Sequence, residues 1–166
     1  MSRSAMTAQA LRQIVSYDPA TGLLVRIKAC GRRFPAGSAV GSVDPRGYVD
    51  AQIQGCRDYA HRFIWLYVTG AWPEDEIDHR NGVKSDNRWA NLREATGVLN
   101  QQNKRHAQSN SSTGLRGVLV SSPGRYCARI RVNGVNKHLG SYPTPEAAHA
   151  AYIKAKAELH PFWAEA

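Results

Sequence analysis

Hydrophobic and polar residues change their spacing several times along the chain, and each change marks a predicted element. Residues 7–17 have the spacing of an amphipathic helix, with Leu11, Ile14 and Val15 on one face. Between residues 17 and 58, apolar residues alternate with polar ones in short stretches that are bounded by Gly and Pro. This part of the chain therefore predicts a short helix followed by small antiparallel β structure.

Helical spacing returns at Tyr59, and Gly70 is placed to end that helix. Two short strand patterns follow at residues 77–80 and 92–95, with turn-forming Asn, Asp and Gly between them. A polar helix is predicted from residue 97 to about 106. Strand, loop, strand and helix together make a ββα unit.

The last third of the chain has the pattern of a separate unit. Residues 107–114 are rich in Ser and Asn, which is typical of a linker. Three strand patterns then cover 116–121, 125–132 and 136–142, and Thr144 is placed as the N-cap of a final helix that begins with proline. The predicted fold class is α+β, in four parts: a β-rich N-terminal region (1–56), a ββα core (57–106), the linker (107–114) and a three-stranded antiparallel sheet plus one helix (115–166).

Composition and charge narrow the class of partner. The 166 residues include 22 Lys and Arg against 13 Asp and Glu, a formal net charge of +9, and the excess lies in both flanks of a balanced middle. Such an excess favours a polyanionic partner, because each neutralised phosphate releases counterions. The three cysteines form no C-x-x-C pair, which argues against a disulfide framework. No apolar run predicts a signal peptide or a membrane partner, so a cytoplasmic location is expected.

Asp78 and His79, at the end of a predicted strand, are the first candidates for chemistry. Asn91 follows twelve residues after His79, and Asn100 follows nine residues after Asn91. Hydrolysis of a phosphodiester needs a base that deprotonates water and a cation that offsets charge on the phosphate. Neutral imidazole suits the first task, and oxygen ligands around a hard divalent ion suit the second.

The stretch from Ile77-Asp-His through Asn91-Leu-Arg to Asn100 resembles the HNH endonuclease family, over about residues 57–105. The resemblance implies that His79 is the general base, that Asn91 orients its ring, and that Asp78 and Asn100 bind one divalent metal ion. An Asn at the second ligand position favours Mg²⁺, with Mn²⁺ as the alternative, over zinc.

The same resemblance implies contacts to DNA and an origin. Arg80 or Arg88 would steady the DNA backbone near the site. A phage or mobile-element origin, with action in the cytoplasm of a bacterial host cell as a homing-like or nicking enzyme, also follows from the resemblance alone.

The C-terminal part resembles the ethylene-response-factor (Apetala-type) DNA-binding domain of plants. The resemblance is carried by Arg116-Gly-Val, Ala128-Arg-Ile-Arg, Leu139-Gly-Ser-Tyr and Glu146-Ala-Ala. It implies that the sheet lies in the major groove of DNA while the helix braces its back. The residues expected to contact DNA are basic: Arg116, Arg125, Arg129, Arg131 and Lys137.

Alternation along the central strand supports this interpretation independently. Arg129 and Arg131 point to one side and Ala128, Ile130 and Val132 to the other, which gives a cationic face over an apolar one. The same arginines can also form a merely solvated strand face. Arg129 stands where the plant proteins have Glu, so the plant target sequence is not expected.

The expected activity is metal-dependent hydrolysis of double-stranded DNA by His-activated water, without a small-molecule cofactor, in a monomer or a homodimer. Two alternatives stay open: a DNA-binding regulator with a vestigial HNH core, and an RNA-binding basic protein. Asp86 and Asn87 are interpreted as turn formers and His61 as a packed or surface histidine, so none of the three is given a role in chemistry.

Overall fold

The chain forms two compact units, one ending at Val98 and one beginning at Leu99. The structure, a computed structural model, describes residues 5–160 and Trp163. The division lies within a helix, ahead of the linker predicted at 107–114. No helix in the described part of the chain is long and apolar enough to cross a membrane.

The first unit begins with a short helix and a β-hairpin. Helix α1 (Ala8–Arg12) is capped by the Thr7 side chain. Strands β1 (Val15–Asp18) and β2 (Leu23–Arg26) then pair antiparallel. The helix predicted for 7–17 is therefore wrong beyond Arg12. Pairing with β2 satisfies the backbone of β1 and buries Val15, and this outweighs the helical spacing of the apolar residues.

A second sheet and the longest helix of the first unit follow. Strands β3 (Ser42–Val43), β4 (Val49–Ile53) and β5 (Cys56–Tyr59) form an antiparallel sheet in chain order. Helix α2 (Ala60–Thr69) starts directly after β5 and ends at Gly70, whose φ of 90° is the left-handed conformation of a helix C-cap. These strands lie where short antiparallel β structure was predicted, and the helix ends at the predicted Gly70.

The strand, loop, strand and helix predicted for the ββα unit are present, but the helix ends at Asn103 rather than near residue 106. Strands β6 (Glu76–His79) and β7 (Leu92–Ala95) pair antiparallel, and helix α3 (Gly97–Asn103) follows. The β6–β7 pair and the N-terminal elements share one core. A single cluster of buried residues includes side chains from α1, β1, β2, α2, β6 and β7: Leu11, Val15, Leu24, Phe63, Ile64, Leu66, Ile77 and Leu92.

The second unit has the predicted three strands and one helix. Strands β8 (Val118–Ser122), β9 (Arg125–Val132) and β10 (Val135–Tyr142) form an antiparallel sheet with β9 in the centre. Helix α4 (Pro145–Leu159) is capped by the Thr144 side chain and packs on one face of the sheet. Its small core contains Val118, Ala128 and Ala148, with Tyr126 and Leu139 packed against it.

Within the second unit, two basic side chains bind the residues before the predicted linker to the sheet and its helix. The Arg116 guanidinium donates to the carbonyl oxygens of Gln101 and His106 and to the Tyr152 hydroxyl. The buried Lys156 ammonium donates to the carbonyl of Lys104 at 2.7 Å. Residues 101–106 are therefore held by the sheet and its helix.

Candidate active site

Asp78 and His79 end strand β6, and strand pairing fixes their positions. Asp78 lies opposite Arg93 and His79 opposite Leu92 in β7. Both side chains are buried, with exposed fractions of 6% and 4%. Buried ionisable groups of this kind need specific partners, since burial removes water from the charged form.

Asp78 forms an ion pair with Arg93. Its guanidinium donates from Nε to Oδ2 of Asp78 at 3.0 Å, and its Nη2 lies 3.0 Å from the same oxygen. Arg93 is itself only 7% exposed, so the pair is a buried cross-strand ion pair. It fixes the orientation of the carboxylate and offsets its negative charge.

The ring of His79 is held by Asn87. His79 Nε2 lies 3.1 Å from Oδ1 of Asn87 in a buried hydrogen bond. Because an amide oxygen can only accept, this contact places the ring proton on Nε2 and leaves the lone pair on Nδ1. Burial lowers the pKa of His79, against the opposing effects of the Asn87 hydrogen bond and of Asp78. The imidazole is therefore neutral at physiological pH, as a general base must be.

Asn91, predicted to orient this ring, makes its own hydrogen bonds within the loop between β6 and β7. Its Nδ2 donates to the carbonyl of Asp86 at 2.7 Å, and its Oδ1 accepts from the backbone N–H of Asn81 at 2.9 Å. Its own carbonyl accepts from the N–H of Arg80. Asn91 thus closes the loop, whereas the hydrogen bond to the ring of His79, at 3.1 Å, is made by Asn87.

The N-terminal hairpin supports Asn87 from behind. The Tyr17 hydroxyl of β1 donates to the Asn87 carbonyl at 2.9 Å. Gly22, in the turn after β1, has a φ of 77°, and a Cβ built there would lie 2.5 Å from the backbone of both Asn87 and Arg88. Only glycine permits this close approach. The hairpin therefore fixes the backbone from which Asn87 reaches His79.

Four aromatic rings, which we call the ring cluster, surround the buried face of the site: Tyr48, Tyr59, His61 and His79. His61 meets His79 edge to face with ring centroids 5.2 Å apart, and it stacks on Tyr59 at 5.4 Å. Tyr48 lies 5.7 Å from His61 and 6.1 Å from His79. The ring cluster brings together Tyr48, just before β4, and residues of β5, α2 and β6.

Two cations flank the ring cluster. Lys84 Nζ lies 4.6 Å from the centroid of the Tyr48 ring and donates to the carbonyl of Arg46 at 2.9 Å. The Arg46 guanidinium donates to the Tyr59 hydroxyl. Neither cation was singled out from the sequence, because they come from separate turns that only the fold brings together.

The two arginines predicted to contact DNA near the site differ in their surroundings. Arg88 is exposed, and its guanidinium forms a two-point contact with the Asp86 carboxylate, at 2.8 and 2.5 Å. This pairing offsets its charge. Arg80 is half-buried.

Asn100, the predicted second metal ligand, is half-buried on α3, in the part of the chain assigned to the second unit. Among the described residues, no group of three or more His, Cys, Asp or Glu side chains is placed to hold a metal ion. Mg²⁺ does not require such a group, because it usually keeps several waters and binds through one or two carboxylates and substrate phosphates. The Asp78 carboxylate is a ligand of this kind.

The outer face of the C-terminal sheet is basic. Arg125, Arg129 and Arg131 are exposed on β9 and alternate onto this face. Lys137 is exposed on β10 but lies directly opposite the buried Ile130, so it belongs to the other face of the sheet. Arg116, predicted as a fifth contact, is half-buried and donates to oxygens of the protein itself.

Comparison with known proteins is consistent with this geometry. Residues 58–104 match the model of a family described as HNH endonuclease. The matched segment contains α2, the β6–β7 pair and α3, and with them Asp78, His79 and Asn91. The predicted resemblance of this segment to HNH endonucleases is confirmed. No curated protein and no solved structure matches the chain.

Sequence reasoning missed two residues of the site, Asn87 and His61. Asp86-Asn87 has the composition of a turn, and nothing in its spacing indicates that Asn87 turns inward to His79. His61 has the spacing of the apolar face of α2, where Ala60 and Ile64 are buried. That spacing was a usable signal, since a histidine at a core position of a helix needs a reason for its burial.

The burial of His61 predicts a pH dependence of stability. Burial, and secondarily His79, lowers the pKa of His61 from 6.5 to about 3. Between these values the unfolded chain binds a proton that the folded chain does not, so stability is full above pH 6.5 and falls toward pH 3. We expect the loss for this group to approach about 1.4 kcal/mol per pH unit. Denaturant unfolding of wild type and His61→Phe between pH 7 and 4 measures it, and equal slopes would contradict the assignment.

Proposed function

We propose that the protein is a metal-dependent DNA endonuclease whose general base is His79. The observation that carries the proposal is the neutral, buried imidazole of His79, oriented by Asn87 and adjacent in sequence to the Asp78 carboxylate. The match of residues 58–104 to HNH endonucleases supports the same assignment.

In the proposed reaction, Nδ1 of His79 removes a proton from water, and the resulting hydroxide attacks the phosphorus of a phosphodiester. The P–O bond to the departing sugar oxygen breaks, and that oxygen takes a proton from solvent. Asn87 keeps the ring proton on Nε2 and the lone pair toward water, and Asn91 holds the shape of the loop that presents Asn87. A base positioned in this way contributes about 10²–10⁴-fold to the rate.

Asp78 and Asn100 are the residues that would hold a divalent ion, with Mg²⁺ favoured and Mn²⁺ as the alternative. The ion would supply positive charge to offset the charge that develops on the phosphate and the departing oxygen. Arg93 keeps the Asp78 carboxylate in one orientation for this task.

The exposed basic face of the C-terminal sheet is proposed as the surface that binds duplex DNA. Arg125, Arg129 and Arg131 form this face and have no acidic partner among the described ion pairs. Lys137 is left out of the proposed surface because it lies on the opposite face of the sheet, opposite Ile130. A face of this charge suits the phosphates and base edges of a groove. Arg116 is left out of the proposed surface because its donors are used within the protein.

Replacing Arg129 or Arg131 with alanine should weaken binding to a preferred duplex by about 1–3 kcal/mol where the side chain contacts a base edge. If it contacts phosphate alone, affinity should fall evenly across sequences and the salt dependence should become shallower. Fluorescence anisotropy with target and scrambled duplexes over a salt series separates these cases. Lys154→Ala, an exposed cation on α4, is the control. Unchanged affinity and salt slope for both arginine variants would remove this face as the DNA-binding surface.

The nuclease activity itself is tested by nicking of supercoiled plasmid. The wild-type protein should convert it to the open circular form with Mg²⁺ or Mn²⁺, lose this activity in EDTA and regain it when the metal is restored. Cleavage that persists in EDTA would refute the metal-dependent mechanism. Tight duplex binding without any cleavage would favour the alternative of a DNA-binding regulator with a vestigial core.

A further inference from the structure

His61 is a buried polar side chain that the proposed mechanism does not use. It is 5% exposed and lies in the first turn of α2. Its ring touches Tyr48, Tyr59 and His79, and every one of these contacts is between ring faces or edges. Across the described residues, no hydrogen bond reaches either of its ring nitrogens.

This arrangement is costly for a residue whose role is only packing. The ring nitrogens of His61 are not among the described buried polar atoms that lack a partner, so they keep a small contact with solvent although the residue is only 5% exposed. A phenyl ring would fill the same space without the cost of a nearly buried polar edge. A nearly buried polar group that has no protein partner and still reaches solvent can meet a ligand that arrives from solution. The neighbours of His61 indicate which ligand.

The neighbourhood favours an anion. His61 lies against the proposed base His79, and the Lys84 ammonium lies over the Tyr48 ring of the same cluster. Arg46 contacts the cluster at the Tyr59 hydroxyl, but its charge is offset by an ion pair with Asp44 at 3.1 Å. The first turn of a helix also presents backbone N–H groups and the positive end of the helix dipole. Asp58, just before the helix, is paired with Arg62 at 3.5 Å, which offsets its negative charge.

We infer that His61 is a second catalytic histidine, which donates a hydrogen bond from its neutral ring to a non-bridging oxygen of the scissile phosphate. The inference rests on the proposed nuclease function. With the pKa of His61 lowered to about 3 by burial, the ring stays uncharged and offers one N–H donor. It therefore acts as a fixed dipole rather than as a proton donor to the leaving group.

Two substitutions distinguish the effect of the N–H donor of His61 from the effect of its ring packing. His61→Phe keeps the ring and its packing but has no N–H, and His61→Asn keeps an N–H donor but has no ring. If the donor matters, His61→Phe should lower kcat by about 10²–10³-fold, as for the loss of one oriented donor at a developing oxyanion. It should also melt at or above the wild-type temperature. His61→Asn should cleave faster than His61→Phe.

The control on the same helix is Tyr67→Phe, which removes a hydroxyl and leaves the ring in place. It should keep wild-type kcat and KM. Duplex affinity in EDTA should be close to wild type for all variants, because one contact is lost among many.

The outcomes are distinct. Suppose that the wild-type protein cuts DNA. If His61→Phe then cuts as fast as wild type, or if it cuts faster than His61→Asn, the inference is overturned and His61 is a packing residue. If His61→Phe fails to fold, His61→Asn is compared with His61→Ala, and equal kcat values overturn the inference in the same way. A wild-type protein that does not cut under any metal condition overturns the proposed function and this inference together.

Discussion

The His79→Ala variant should lose about 10²–10⁴-fold in the rate of DNA cleavage, the range that a general base contributes, and should bind duplex DNA almost as tightly as wild type. The ring is buried at the end of β6 and is hydrogen-bonded to Asn87, so the fold determines the direction of its Nδ1 lone pair. Single-turnover nicking with saturating enzyme isolates the chemical step, and anisotropy in EDTA measures affinity.

His79→Gln sharpens this experiment, because its amide can still contact Asn87 while offering no useful base. It should be as inactive as His79→Ala but closer to wild type in thermal stability. His106→Ala removes an exposed histidine of the second unit and should behave like wild type. A near wild-type rate for His79→Gln would show that the base is another residue.

The second large effect is expected at Asp78, and it should appear in stability as well as in activity. Asp78→Asn removes the Asp78 negative charge from beside the Arg93 guanidinium, which is 7% exposed. Removing one partner of a buried ion pair typically costs about 3–5 kcal/mol. We therefore expect the free energy of unfolding to fall by that amount even in EDTA, where no metal can contribute. Cleavage with Mg²⁺ should fall as well, since the only charged residue among the proposed ligands is gone.

The matched control is the exposed pair of Asp50 and Arg57. Its hydrogen bonds are as short as those of Asp78, but the Arg57 side chain is 72% exposed. Asp50→Asn should therefore cost less than about 1 kcal/mol and leave cleavage unchanged. Urea unfolding of wild type and both variants in EDTA tests the comparison. If Asp78→Asn were as stable as Asp50→Asn, Arg93 would have another sufficient partner.

The elements of the fold were largely predictable because local signals agreed with tertiary packing. Asn-Gly and Pro-Gly turns, the Gly70 cap and the Thr144-Pro145 helix start each determine a boundary through backbone chemistry alone. The helix predicted for residues 7–17 was wrong beyond Arg12 because the local signals there did not decide between helix and strand. Val15 fits a helix face and a strand equally well, and only pairing with β2 decides between them.

The sequence predicted candidate residues for the site, but it did not predict the long-range contacts that orient them. Asp78, His79 and Asn91 could be chosen from spacing, yet the contacts of each depend on distant residues. Asn87 reaches His79 because Tyr17 and the turn at Gly22 support it, and these lie about seventy residues earlier in the chain. Short-range patterns contain no information on such contacts.

The close approach of Gly22 to the backbone of Asn87 and Arg88 has a consequence for engineering. Residues 58–104 look like a portable cassette that could be joined to a different DNA-binding domain. Cut out on that boundary, the cassette would leave behind both the Tyr17 hydroxyl and the glycine turn that brace Asn87. The smallest transferable segment of this protein therefore begins before Tyr17. A graft that omits the hairpin would contain His79 without the contacts that hold Asn87 against it.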